Sequence, residues 1–259
     1  MFATKILAHR GASAYAPENT IEAFKLAVEQ GADGVELDVQ MTKDGQLVVV
    51  HDEAIDRVSN GSGLVKDYTL AELRQFTFNK THPEYENAQI PTLEEVFRFL
   101  KPFGTLINVE LKTSIFWYEG LEEAVISLTK EMDMEEQVLY SSFNHMSIAK
   151  VKELDPQAHT AILYSEVMVD TVAYGEKIGV EALHPALWHL KMDNLMEQWV
   201  NSGLKVNVWT VNEEEDMRDF IRGGVNALIT NYPDRAVNVL KEMNRFPNST
   251  PLSYAHIAP

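Results

Sequence analysis

The sequence predicts an α/β fold, a (β/α)₈ TIM barrel with a small insertion after the second strand. Short β-rich runs alternate with longer runs of helical spacing, and about eight such units fit into the 259 residues. Repeated strand–helix units imply a parallel sheet with right-handed crossovers. No G-x-G-x-x-G run follows the first strand, which argues against a doubly wound dinucleotide-binding fold.

The predicted strands are short apolar runs, at 5–8, 34–40, 47–51, 106–111, 138–142, 158–163, 182–184, 206–210 and 227–230. The predicted helices have apolar residues at three- and four-residue spacing, at 19–30, 92–100, 120–131, 146–154, 169–178, 193–201, 213–222 and 233–243. Thr20 or Asn19 can cap the first helix, and Pro233 is tolerated in the first turn of the last.

Two segments depart from the repeat. Asp44-Gly45 is a hairpin-turn signal between the second run and residues 47–51. Residues 52–90 carry Asn60-Gly61-Ser62-Gly63 and other polar clusters, with one short helical piece near 69–76, which predicts an insertion over one barrel mouth. We expect a single domain over residues 1–243 and a C-terminal tail at 244–259, which contains three prolines.

Composition excludes several classes of protein. The chain has no cysteine, which rules out disulfides, thiolate zinc sites and a cysteine nucleophile. Its formal charge of −17 repels nucleic acid and anionic membranes. No run approaches the ~20 apolar residues of a membrane span, and the apolar run at the N-terminus is too short for a signal peptide. We expect a cytoplasmic protein without stable membrane insertion; the sequence leaves the oligomeric state open.

Glu36 and Asp38 alternate with Val35, Leu37 and Val39. Side chains two apart on a strand share a face, and the outer face of a barrel strand packs under helices. The two acids would therefore point inward, where carboxylates are costly unless they are paired or hold a cation. The alternative is an exposed edge strand with a solvated acidic face.

Glu110 comes near the carboxyl end of the next barrel strand, two residues before Lys112. Together with Glu36 and Asp38 it would form an oxygen-only site, which favours Mg²⁺ or Ca²⁺ over zinc. A salt bridge between Glu110 and Lys112 is the alternative, and it could coexist with a bound metal.

His9 and His51 each end an apolar strand, where barrel enzymes place catalytic groups. Histidine can transfer protons near neutral pH. Arg10 offers a planar fork for phosphate oxygens, and Glu18 is its expected ion-pair partner. His184 ends a short strand before Pro185 and is expected to face the barrel mouth, where a site role for it stays open. The other histidines are expected on the surface: His82, His145, His159, His189 and His256.

Aromatic residues follow several strand ends, namely Phe116, Trp117, Tyr118, Trp188 and Trp209. They could hold a quaternary ammonium group such as choline by cation–π contact. Packing beneath loops is the equally weighted alternative.

The chain resembles the glycerophosphodiester phosphodiesterase family. The resemblance runs from residue 5 to about 240 and rests on six short motifs in the family's order. They are His9-Arg10-Gly11 with Pro17-Glu18-Asn19-Thr20, Gly34-Val35-Glu36-Leu37-Asp38-Val39, His51-Asp52, Asn108-Val109-Glu110-Leu111-Lys112, Val208-Trp209-Thr210-Val211-Asn212 and Thr230-Asn231-Tyr232-Pro233-Asp234. One position departs from the family pattern: Asn226 stands where the family usually has Asp. This position is expected to brace the last strand, so the change concerns that bracing and not catalysis.

The resemblance implies a barrel enzyme that hydrolyses glycerophosphodiesters to an alcohol and sn-glycerol 3-phosphate with one divalent cation. By motif, the acid/base pair would be His9 and His51. The metal ligands would be Glu36, Asp38 and Glu110. Phosphate contacts would come from Arg10 and Lys112, with Glu18 orienting the site and Trp209 lining the substrate pocket.

Two other functions stay open: a lysophospholipase D acting on lysolipids, and a phosphoester-binding barrel without turnover. The sequence does not distinguish Mg²⁺ from Ca²⁺, or choline, ethanolamine, glycerol and inositol as the leaving alcohol. It also leaves open which histidine is the acid, and whether water or a neighbouring glycerol hydroxyl attacks the phosphorus.

Overall fold

A computed structural model of the chain describes residues 1–245. Eight parallel strands close into a barrel, because β2 and β9 both pair with β1. These strands are β1 (Lys5–His9), β2 (Gly34–Met41), β4 (Leu106–Leu111), β5 (Val138–Ser142), β6 (His159–Tyr164), β7 (Ala182–Pro185), β8 (Lys205–Val208) and β9 (Ala227–Thr230), with β3 (Leu47–Val49) outside the ring. The predicted (β/α)₈ barrel is confirmed.

The helices surround the barrel at the predicted places. They are α1 (Ile21–Glu29), α3 (Leu93–Leu100), α4 (Leu121–Glu131), α5 (His145–Leu154), α6 (Thr171–Ile178), α7 (Leu195–Val200), α8 (Glu214–Gly223) and α9 (Pro233–Arg245), while the short α2 (Leu70–Leu73) belongs to the insertion. The Thr20 side chain caps α1 by accepting a hydrogen bond from the Ala23 amide.

The alternation in β2 determines which side chains enter the barrel. Val35, Leu37 and Val39 belong to the buried apolar cluster beneath the helices, as predicted. The polar side chains between them point to the barrel interior. In the parallel register, residue 36 is paired with residue 9 and residue 38 with residue 110, so their side chains share that interior face.

The insertion follows a β-hairpin. β3 pairs antiparallel with β2, and Gly45 at the turn has a φ of 78°, as the Asp44-Gly45 signal predicts. The chain then forms two single 3₁₀ turns, Ile55–Arg57 and Val65–Asp67, and the short helix α2. Apolar side chains of this segment pack against β3 in a small cluster of their own.

Helix α9 ends at Arg245, so residues 244 and 245 of the predicted tail are helical. The Asn244 side chain bonds both the amide and the carbonyl of Phe2, which ties the two ends of the described chain together. The rest of the predicted tail, with His256, lies outside the described residues. Within residues 1–245, no helix has the length and apolar character needed to cross a bilayer.

Candidate active site

A cavity of about 240 Å³ opens at the carboxyl ends of the strands, the end where barrel enzymes place their chemistry. It is lined by His9, Arg10, Glu36, His51, Asn108, Glu110, Phe143, Leu163, Trp209 and Ile229. A larger cavity of about 310 Å³ lies at the opposite end of the barrel. Its lysines, Lys5 and Lys205, are paired with acidic residues. The predicted catalytic histidines and the carboxylates of Glu36 and Glu110 line the smaller cavity instead.

The three acidic residues predicted to bind metal are brought together. Glu36, Asp38 and Glu110 each offer one carboxylate oxygen, and these oxygens lie within 4.8 Å of one another. All three side chains are buried, with exposures of 3%, 0% and 7%. The cluster arises because adjacent parallel strands β2 and β4 place these residues at neighbouring register positions on the inner face.

The charges of this cluster fit a divalent cation. Burial, together with the charges of Asp38 and Glu110, raises the pKa of Glu36 well above its usual value. Burial also raises the pKa of Glu110, although Lys112 opposes it. Asp38 is likewise penalised by burial, but the charges of Arg10, His51 and Lys112, with the hydrogen bond from Asn19, together hold the Asp38 pKa well below its usual range. A cation would allow all three carboxylates to ionise together.

One oxygen of this cluster has no hydrogen-bond partner. Asp38 Oδ1 is buried and unbonded within the described part of the chain, although Lys112 Nζ lies 3.8 Å away. The other oxygen, Oδ2, accepts a hydrogen bond of 2.8 Å from Asn19 Nδ2. A donor set made only of carboxylate oxygens, one of them unbonded, suits Mg²⁺ or Ca²⁺.

His9 has a neutral hydrogen-bond partner. Its Nδ1 lies 2.7 Å from Asn231 Oδ1, and its Nε2 lies 3.9 Å from Glu36 Oε2. Because an amide oxygen only accepts, Nδ1 carries the hydrogen and Nε2 keeps its lone pair towards the cavity. Burial, aided by the Arg10 charge, lowers the pKa of His9 to about 4.

His51 has a charged partner instead. Its Nδ1 lies 2.6 Å from Asp52 Oδ1, and Asp52 also accepts from Arg57 Nε at 2.6 Å. Burial works against ionisation of Asp52, but the hydrogen bonds from Arg57 and His51 lower its pKa to about 2. The carboxylate therefore stays charged and orients the His51 ring through Nδ1.

Arg10 is held at both its backbone and its side chain. Its amide donates to Glu36 Oε2 (3.0 Å) and its Nη1 to Glu18 Oε1 (3.0 Å), which is the ion pair expected from the sequence. Its backbone is left-handed, with a φ of 56°. The next residue, Gly11, has a φ of 81°, and a Cβ there would lie 2.7 Å from Ala23 atoms. Only glycine therefore fits this close turn.

Lys112 donates from Nζ to Glu110 Oε1 at 2.9 Å, so the salt bridge considered from sequence is present beside the acidic cluster. Lys112 and Arg10 place positive charge beside the carboxylate cluster, with Lys112 Nζ 3.8 Å and Arg10 Nε 3.5 Å from Asp38 oxygens. The charge of Glu110 contributes to raising the pKa of Lys112, against the effect of burial.

Sequence reasoning gave no role to several side chains that support the site. Gln40 is fully buried, and its Nε2 faces the carbonyls of Val50, His51 and Asp52 at 3.1, 3.0 and 2.8 Å. Its Oε1 accepts from Tyr118 Oη at 2.9 Å. The two-residue spacing of Glu36, Asp38 and Gln40 along β2 would have predicted from the sequence that Gln40 points inward. Asn231 lies in a motif of the resemblance, but its bond to His9 spans 222 positions and leaves no local pattern.

The aromatic residues divide into two groups. Trp209 lies in the cavity wall, where Nε1 donates to His184 O (2.8 Å) and its ring meets Phe143 edge-on at 5.5 Å. Trp188 is half exposed beside it, with ring centroids 6.3 Å apart. The three aromatics after β4 do not line the cavity. Phe116 lies under Lys66, Tyr118 bonds Gln40, and Trp117 is exposed.

Two histidines differ from their predicted surroundings. His189 was expected on the surface, which is wrong: it is fully buried, stacked on Tyr164 at 5.5 Å, with Nε2 3.0 Å from Ser165 O. The amphipathic imidazole packs its ring while one nitrogen bonds the backbone. His184 lies inside the barrel below the cavity, where Asn207 Nδ2 donates to its Nε2 at 2.8 Å, so it does not face the mouth.

Comparison with known proteins gives a consistent result. The model of the glycerophosphoryl diester phosphodiesterase family matches residues 9–235. A glycerophosphodiester phosphodiesterase of Caldanaerobacter subterraneus is 42% identical over 240 residues, covering 92% of this chain and 98% of that protein. A glycerophosphodiester phosphodiesterase of Bacillus subtilis is 39% identical, covering 88% of this chain and 83% of that protein.

Solved structures are similar over nearly the whole chain. An Oleispira antarctica phosphodiesterase in complex with the product sn-glycerol-3-phosphate has a TM-score of 0.81 and 30% identity, covering 92% of this chain and 97% of that one. A Thermotoga maritima glycerophosphodiester phosphodiesterase has a TM-score of 0.76 and 30% identity, covering 91% and 98%.

Proposed function

Because the chain belongs to the glycerophosphoryl diester phosphodiesterase family, we propose that it hydrolyses glycerophosphodiesters to an alcohol and sn-glycerol 3-phosphate by metal-dependent, paired-histidine catalysis. The observation that carries the proposal is one cavity lined by two histidines with different partners, beside three clustered carboxylates. The structure of the Oleispira antarctica phosphodiesterase in complex with the product sn-glycerol-3-phosphate supports the same product here.

Glu36, Asp38 and Glu110 would hold one divalent cation, Mg²⁺ or Ca²⁺. When bound, the cation would withdraw charge from a phosphate oxygen and so stabilise the transition state. Arg10 and Lys112 would bind the remaining phosphate oxygens. Glu18 would orient the Arg10 guanidinium, since it already bonds Nη1.

The partners of the two histidines suggest their roles. His9 presents an unprotonated Nε2 to the cavity, so we assign it as the base that removes a proton from the nucleophile. The Asp52 carboxylate bonds His51 Nδ1 and fixes the orientation of the ring, so His51 is assigned as the acid. A P–O bond forms to the nucleophile, the P–O bond to the alcohol breaks, and His51 gives its proton to the leaving oxygen.

The nucleophile is either water or the neighbouring glycerol hydroxyl, and the second route gives a cyclic phosphate. Rapid quenching of a single turnover distinguishes the two. A transient cyclic glycerophosphate by ³¹P NMR indicates hydroxyl attack, and direct formation of glycerol 3-phosphate indicates water.

The two walls of the cavity differ in character. The metal and phosphate groups come from β1, β2 and β4, while Phe143, Leu163 and Trp209 form an apolar wall on the other side. We propose that the leaving alcohol lies against Trp209. If this wall holds a quaternary ammonium, glycerophosphocholine has a lower KM than glycerophosphoglycerol, and Trp209→Leu removes the difference. Equal KM values in the wild type would contradict a choline site.

The acid/base assignment is tested with His9→Ala and His51→Ala, each expected to reduce kcat by about 10²–10⁴-fold. The matched control is His82→Ala, because His82 contacts Thr81 and does not line the cavity. Turnover near the wild-type value in either variant would remove that histidine from the mechanism.

The metal assignment is tested with Glu36→Gln in chelator-treated protein supplied with increasing Mg²⁺ or Ca²⁺. The half-saturating cation concentration should rise by more than about tenfold, whereas Glu94→Gln, an exposed control, should leave it unchanged. Full activity of Glu36→Gln without added cation would contradict the metal site.

The same assays separate the two other functions. A lysophospholipase D would turn over lysolipid micelles faster than water-soluble diesters, and a binding barrel would turn over neither. The proposed enzyme prefers the soluble diesters and requires cation. Its cytoplasmic location stays a prediction from sequence.

A further inference from the structure

Arg57 belongs to the insertion and does not line the cavity. Its single 3₁₀ turn is anchored by Ile55, which is fully buried in the apolar cluster of the insertion together with Val65 and Leu73. The backbone of this turn is therefore held by packing, and the Arg57 side chain extends from it towards the barrel.

The Arg57 guanidinium holds two carboxylates at once. Nε and Nη2 donate to Asp52 at 2.6 and 3.1 Å, while Nη1 and Nη2 donate to Glu18, both at 2.7 Å. A planar guanidinium can bind carboxylates along two edges, which a lysine ammonium cannot reproduce. Glu18 is 39 positions away in sequence, so this contact docks the insertion onto the β1–α1 loop.

Each of these carboxylates also bonds a proposed site residue. Asp52 bonds His51 Nδ1 at 2.6 Å, and Glu18 accepts from Arg10 Nη1 at 3.0 Å. A continuous chain of charge-assisted bonds therefore runs from the histidine to the phosphate-binding arginine, with Arg57 at its centre. Without Arg57, the two carboxylates that share its Nη2 would lose the positive charge between them and repel each other.

We propose that Arg57 is a positioning residue that fixes His51 relative to Arg10, and thus sets the distance between proton donor and bound phosphate. The inference rests on the proposed function, because it assigns Arg57 to that same reaction. Errors of about 1 Å in such positions reduce rates about 10²-fold. Arg57 would therefore affect turnover although it touches neither phosphate nor cation.

The test compares Arg57→Ala and Arg57→Lys with Arg74→Ala. Arg74 is a matched control, since it lies in the same insertion, bonds Glu95 through two short contacts, and is 40% exposed against 43% for Arg57. We expect kcat to fall about 10- to 100-fold in Arg57→Ala, and at least about fivefold in Arg57→Lys, because lysine keeps the charge without the fork. Arg74→Ala should stay within twofold of wild type.

Chemical rescue separates positioning from loss of structure. Guanidinium ion at low, non-denaturing concentration should raise kcat of Arg57→Ala several-fold and leave wild type and Arg74→Ala unchanged, since the half-exposed position is accessible. Wild-type kcat in Arg57→Lys, an equal loss in Arg74→Ala, or no rescue would overturn the inference. A fully active Arg57→Ala with inactive His51→Ala would refute this inference alone, leaving the proposed function intact.

Discussion

Replacing Gln40 by leucine would test how the barrel holds the backbone of His51. Leucine has a similar size but removes the donor to three carbonyls and the acceptor for Tyr118 Oη. Two of the groups left without a partner, the Val50 carbonyl and the Tyr118 hydroxyl, lie in buried contacts. Each buried unsatisfied group costs about 1–3 kcal/mol, so the free energy of unfolding should fall by about 2–6 kcal/mol.

Urea denaturation followed by circular dichroism measures this loss as a shift in midpoint at constant m-value. The control is Gln75→Leu, an exposed glutamine in the insertion, which should change the free energy of unfolding by less than about 0.5 kcal/mol. If Gln40 holds the segment that carries His51, kcat should also fall while the soluble variant stays folded. A loss of stability below about 1 kcal/mol, or unchanged kcat, would refute this reasoning.

Two further predictions concern stability. Gly11→Ala should destabilise the fold by at least about 1 kcal/mol more than Gly45→Ala: both glycines have positive φ, but a Cβ at Gly11 meets Ala23 at 2.7 Å and one at Gly45 meets nothing within 4 Å. Equal urea midpoints for the two variants would contradict the close approach. Burial lowers the pKa of His184 from 6.5 to about 3, so between these values the unfolded chain binds a proton that the folded chain does not. Stability should therefore fall as pH drops below about 6.5, by up to about 1.4 kcal/mol per pH unit from this group. Urea midpoints of wild type and His184→Asn at several pH values check this, and parallel pH profiles would show that His184 contributes nothing.

Much of the architecture was predictable because its signals are local. Strand–helix alternation predicts the barrel, Asp44-Gly45 predicts the hairpin, and the two-residue period of β2 predicts that Glu36 and Asp38 point inward. Glu110 could then be placed beside these carboxylates, because the carboxyl ends of neighbouring parallel strands lie at the same end of a barrel.

The supporting contacts were not predictable, because they join residues remote in sequence. Arg57 reaches Glu18 across 39 positions, and Asn231 reaches His9 across 222. No periodicity encodes such pairs. The misplaced His189 shows the same limit, since its burial depends on Tyr164 and Ser165, which precede it on another strand and loop.

The bond between His9 and Asn231 has a consequence for biosynthesis. β1 is made before β9, but His9, the proposed base, acquires its partner only when the segment after β9 has emerged and the barrel closes. Such late, long-range closure is slow compared with the formation of local helices. A nascent chain that ends before residue 231 would carry the acidic cluster and both histidines but not the partner that orients His9, so we expect no diester hydrolysis until residue 231 has been made.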